Sequence, residues 1–198
     1  MESVRELLLD EMKDLYDAEK QLVKALPKVV KASSNADLRQ AFENHLEETR
    51  GHVSRLERAF EMMGEKAKSK PCAAMKGLVE EAGEATEGDM DESLTDSAII
   101  CAAQKVEHYE IAGYGTLAAW AKSLGLDDVA GLLEETLEEE KAADKKLSEV
   151  ADGILVEAAS MEGGSQEDEE EEEATVESPR KKAASKGSNG QSSRHRAG

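Results

Sequence analysis

Apolar residues recur at steps of three and four along the first half of the chain: Val4, Leu8, Leu15, Leu22, Leu26 and Val30. This is the period of one helical face, and it predicts a helix from about Ser3 to Lys31, with Pro27 in its last turn. Ser33-Ser34-Asn35 supplies N-cap residues for a second helix that runs to Met63 and stops at Gly64. The link is short, so the two helices are expected to form an antiparallel hairpin.

From Glu65 to about Ser93 the pattern loosens around Pro71, although Ala73 to Ala85 can make a short helix. Thr95 or Asp96 is the expected cap of a third long helix, through Ala98, Ile99, Val106, Leu117 and Trp120 to Gly125. Asp127 starts a fourth, expected to end by Gly153. Two hairpins joined by a crossover of roughly 30 residues match the all-α, ferritin-like four-helix bundle better than an up-down bundle with short loops. The bundle is assigned to residues 1–155 and a disordered, charge-blocked C-terminal tail to 156–198. Beyond Gly163 the chain offers acidic and basic blocks and almost nothing apolar to offset the entropy of ordering.

Composition sharpens this reading. Aromatic residues are 3% of the 198 and prolines number three, which favours helix throughout. The formal charge is -19, so the bundle is an unlikely nucleic-acid partner, since phosphate binding needs a basic patch. The basic end of the tail sits beside an acidic run that competes for it. Two cysteines, Cys72 and Cys101, are too few for a disulfide scaffold or a zinc ribbon, and a reducing cytoplasm is expected. No apolar run is long enough for a membrane span, and Met1 to Glu11 does not read as a signal peptide.

Stepping ~100° per residue around each helix brings polar groups onto the core faces. Glu19 falls among the leucines of the first helix. His45, Thr49 and His52 lie on the stripe of the second, with Glu48 at its edge. Glu110 and, one step round, Glu107 belong to the third helix, with Tyr114 one turn beyond. The fourth brings Glu140, followed by Asp144 at i+4. All lie near mid-helix, so antiparallel neighbours would set them at one level. Buried carboxylates in such number require a counter-charge, and no lysine or arginine shares these stripes. Carboxylate oxygens and imidazole nitrogens suit iron, manganese or zinc, and two ions could share the cage. The candidate ligands are Glu19, His45, Glu48, His52, Glu107, Glu110, Glu140 and Asp144. His108 faces the other side of its helix, as does Cys101. Cys72 reads either as a small buried hydrophobe or as a thiol activated by a helix N-terminus.

The segments Leu15-Tyr16-Asp17-Ala18-Glu19-Lys20-Gln21-Leu22, His45-Leu46-Glu47-Glu48-Thr49, Ala103 to Ala112 and Thr136 to Lys141 resemble the YciF family of bacterial ferritin-like proteins. The resemblance covers residues 3 to 152 and is most specific in Val106-Glu107-His108-Tyr109-Glu110-Ile111. It implies a stress-responsive protein, a homodimer, and a di-iron or di-manganese carboxylate centre of the wider ferritin-like kind. That wider pattern takes a Glu from each of two helices and Glu-x-x-His from the other two. This chain instead has Thr49-x-x-His52, or Glu48 with His52, then Glu107-x-x-Glu110, then Glu140 with Asp144. Two functions stay open: a metal-binding bundle with oxidoreductase-type chemistry, and a structural or interaction protein whose buried polar network specifies register without metal.

Overall fold

The computed structural model describes residues 3–87 and 90–176, with side chains to 156. It is all-helical there: α1 (Val4–Ala32), α2 (Ala36–Met62), α3 (Ala73–Glu87), α4 (Glu92–Ser123) and α5 (Asp127–Val176).

Each boundary has a local cause. Ser3 accepts the Glu6 amide at the start of α1, and Asn35 accepts the Asp37 and Leu38 amides at the start of α2. Gly64 takes φ 74° after α2, and Gly125 takes φ 68° after α4. In that left-handed conformation the Glu65 amide returns to Phe60 O at 2.9 Å and the Leu126 amide to Ala121 O at 3.0 Å, closing otherwise open helix ends. Pro27 sits inside α1 without ending it.

Two boundaries differ from the sequence expectation. The cap of α4 is Asp91, whose carboxylate accepts the Leu94 amide, so this helix starts before Thr95. Asp96 is buried and serves the α1–α2 link instead. Its two oxygens take the Ser34 and Asn35 amides at 2.9 and 2.7 Å, tying α4 to the α1–α2 link. The last helix passes Gly153 and continues to Val176. Ile154 is buried against the core, and one interior glycine costs only about 1 kcal/mol in a run of good helix formers. The backbone of 156–176 is thus helical rather than irregular; the rest of the expected disordered tail, 177–198, lies outside the described residues.

α1 and α2 run antiparallel, with Arg5 on Met63 O at 2.7 Å and Tyr16 on Glu57 at 2.7 Å. The chain then returns along α1: the Lys70 amide meets Lys13 O and the Cys72 amide meets Asp17, before α3 packs on α1 and α4. α5 lies against α2 through Arg55 and against α4 through Gln104 and Ser148.

Two apolar clusters fill the interior. One gathers Leu8, Met12, Leu15, Leu56, Phe60, Leu117 and Leu133; the other gathers Leu22, Leu26, Phe42, Ile99, Val106 and Leu147. At roughly 1.5–3 kcal/mol for each large side chain taken from water, these layers hold the helices together. Apart from Asp96, the buried acids and histidines of every long helix fall at or near the boundary between the two clusters, so a polar layer separates two apolar ones.

Candidate metal centre

Glu19, Glu110, Glu140 and His52 have no solvent exposure, and Glu107 and His45 have almost none. Their donor atoms form two groups, each within 4.8 Å. Glu19, His52 and Glu140 make the first; His45, Glu107, Glu110 and Glu140 make the second. Glu140 belongs to both. His52 Nδ1 lies 2.9 Å from Glu140 Oε1 and 3.4 Å from Glu19 Oε1. His45 Nε2 lies 3.4 Å from Glu107 Oε1 and 3.8 Å from Glu140 Oε2.

These short separations leave much unsatisfied. Glu19 Oε2, His45 Nδ1, His52 Nδ1, Glu107 Oε2 and both oxygens of Glu110 and Glu140 are buried with no hydrogen-bond partner. His52 Nδ1 and Glu140 Oε1 meet at 2.9 Å as an ion pair. Buried polar atoms are nearly always paired, so this concentration of unpartnered donors on one level is an arrangement that a bound cation would satisfy. The donor set of carboxylates and imidazoles, without thiolate, fits iron, manganese or zinc.

The electrostatics of these side chains agree. Burial pushes the Glu107 and Glu110 carboxyls well above their usual range, and neighbouring acids add to it. Burial also raises Glu19, against the pull of His52. Burial alone would depress His45, but Glu107, Glu48 and Glu140 hold it up at about 9. His52, likewise opposed by burial, is carried to about 10 by Glu140 and Glu19. Glu140 resists its own burial and stays lowered, because both histidines face it. Most of the cluster is thus pushed toward its protonated forms, and metal binding would release protons.

A protein-family model described as "Domain of unknown function (DUF892)" matches residues 3–160. The chain belongs to this family. It is 49% identical over 152 residues to Protein YciF of Escherichia coli (strain K12), covering 76% of this chain and 92% of that protein. The crystal structure of the E. coli stress protein YciF superposes with TM-score 0.76 at 48% identity, over 78% of this chain and 98% of that one. YcfI from Rhodopseudomonas palustris, named as a candidate structural protein, gives 0.72 at 47%, over 74% and 94%.

In this DUF892 chain the four segments that carry the YciF resemblance are those that deliver Glu19, His45, Glu107, Glu110 and Glu140. Two expected ligands stand elsewhere. Glu48 is half exposed, 3.5 Å from the outer His45 nitrogen and outside both groups. Asp144 turns from the cage to Gln104 and His108, each at 3.4 Å, since a further turn of α5 carries it off the core stripe. Thr49 is buried but spends its hydroxyl on His45 O at 2.7 Å. His108 and Cys101 are exposed as expected. Cys72 is buried and caps α3 with its sulfur; burial raises its thiol pKa, so the activated reading is set aside.

Sequence reading placed Tyr114 on the core face of its helix but missed the other supports of the cage. The His52 Nε2–H donates to Glu139 at 2.9 Å. Arg55 grips both oxygens of Glu139, at 2.7 and 3.0 Å, and also reaches buried Thr136 at 2.8 Å. Tyr114 donates to Glu19. The available signals were weak: Arg55 lies one turn after His52, and Glu139 is the neighbour of Glu140.

Proposed function

We propose that this protein is a ferritin-like four-helix bundle, α1–α2 and α4–α5 as its two hairpins, that holds two divalent ions of iron or manganese. The observation that carries the reading is the set of unpartnered donor atoms buried on four helices. Glu19, His52 and Glu140 would hold one ion, and His45, Glu107, Glu110 and Glu140 the other, with Glu140 between them. Bound there, such ions supply redox or Lewis-acid chemistry in a site shielded from bulk water. The chain's own residues orient the donors: Glu139 and Arg55 fix the His52 ring, and Tyr114 fixes Glu19.

A stress-associated role in the cytoplasm, as a homodimer, accompanies this reading. Its supports are the likeness to a protein called a stress protein, the strongly acidic chain, and the absence among the described residues of any helix long and apolar enough to cross a membrane. The competing reading is a metal-free structural bundle. It is favoured by the two histidines, whose positive charge partly neutralises the cage. Elemental analysis of protein purified without chelator or affinity metal separates the two. About two iron or manganese per chain supports the centre, and none favours the structural bundle.

A further inference from the structure

The cage is not equally sealed on its two sides. A cavity of about 290 Å³ opens between α2 and α5, and its inner end is formed by His45 and Glu107. Both are more than nine-tenths buried, and both turn an unpartnered atom to their surroundings: Nδ1 of His45 and Oε2 of Glu107. The outer lining carries Asp37, Glu48 and Glu139, with Lys146 as the basic residue among them. The other approach to the same two residues, a crevice of about 40 Å³ beneath α3, is walled by Leu22, Val79, Ile99 and other apolar side chains. A hydrated cation entering there would lose its water with nothing to replace it. The His52 side is closed by a different device, since the Glu139 carboxylate caps the ring and Arg55 holds Glu139 in place.

We propose that the α2–α5 cavity is the entry and exchange port of the centre, taking hydrated divalent cations through its acidic mouth to the His45–Glu107 edge. The inference rests on the metal-centre reading above. The port accepts a cation with its waters, because carboxylates and the side-chain amide of Gln40 line the outer part. The ion sheds that shell stepwise, first against Glu48 and then against the buried pair. The position nearest the mouth therefore fills first and exchanges faster, and the His52 position fills from within.

Cobalt(II) uptake by the metal-stripped full-length protein tests this, followed by stopped-flow absorbance. Wild type is expected to load in two phases. Gln40→Lys, which adds a positive charge at the mouth without touching a buried donor, should slow the first phase roughly tenfold at low ionic strength and leave the final stoichiometry unchanged. Asn44→Lys, on the same wall, serves as an independent second variant. Lowered salt should magnify the difference, and high salt should shrink it. Two-phase uptake at a rate indifferent to both substitutions overturns the port and leaves the metal centre standing. No uptake by wild type overturns both.

Discussion

The two halves of the buried cage are built differently. Around His52 every outward contact is fixed: Nε2–H to Glu139, Glu139 to Arg55 by two bonds, and Tyr114 to Glu19. Around His45 the outward nitrogen meets a half-exposed Glu48 at 3.5 Å, and a cavity lies beyond it. The same residue types thus make a rigid subsite and an accessible one. What differs is the second layer of partners, which orients a ligand and tunes its basicity. Glu140 joins the halves and is where the contrast is most easily broken.

The largest effect is expected there. Both buried histidines pull Glu140 toward its ionised form, whereas burial and neighbouring acids push Glu110 toward its neutral form. Glu140→Gln leaves both histidines short of counter-charge and should cost about 3–5 kcal/mol, the usual cost of breaking a buried pair. Glu110→Gln replaces a protonated carboxyl by a near-isostere and should cost less than about 1 kcal/mol. Urea unfolding of both variants in chelator measures the difference; equal losses would remove the distinction between the two carboxylates.

A smaller effect sharpens the contrast between the halves. Arg55→Met frees Glu139, and Glu139→Gln weakens the hold on His52. Either should lower affinity at the tighter of two binding steps by about 10- to 100-fold, as loss of an outer partner generally does. The weaker step should stay within a fewfold. Equilibrium titration with manganese resolves the steps, and an equal drop in both would mean that the Arg55–Glu139 pair supports the whole bundle rather than one subsite.

How legible these halves were in the sequence follows from how each residue is placed. Glu19, His45, His52, Glu107, Glu110 and Glu140 were readable because helical periodicity fixes which face a mid-helix residue occupies. Glu48 and Asp144 stand at the margin of that face, where a few tens of degrees decide between core and solvent. Asp91 and Asp96 are both capping residues by chemistry. Only the approach of the α1–α2 link shows that Asp96 serves Ser34 and Asn35. Arg55 and Glu139 were hidden for the same reason, since their meaning depends on α2 facing α5. The long run of α5 past Gly153 was missed because a glycine stop signal was outweighed by packing at Ile154.

The smallest effect concerns the three tyrosines, which lie on the rigid side and around Cys72. Burial raises all three phenols, Tyr109, Tyr114 and Tyr16, the last also opposed by Glu57 and carried to about 12. The native state therefore binds protons more tightly than the unfolded chain. The resulting stability is fully present below the ordinary phenol value of 10 and is lost as pH rises through the native values. Absorbance at 295 nm should stay flat past pH 10 and then rise together with loss of the helical signal. A gradual rise near pH 10 in folded protein would show phenols in contact with solvent.

The central claim is that the cage holds metal, and titration calorimetry of the stripped full-length protein with manganese(II), repeated in buffers of different ionisation enthalpy, tests it most directly. Two binding steps of unequal affinity per chain are expected, with proton release, because ions displace the protons now held by the histidines and by Glu107 and Glu110. Absence of any binding step, or binding without proton release, would contradict it.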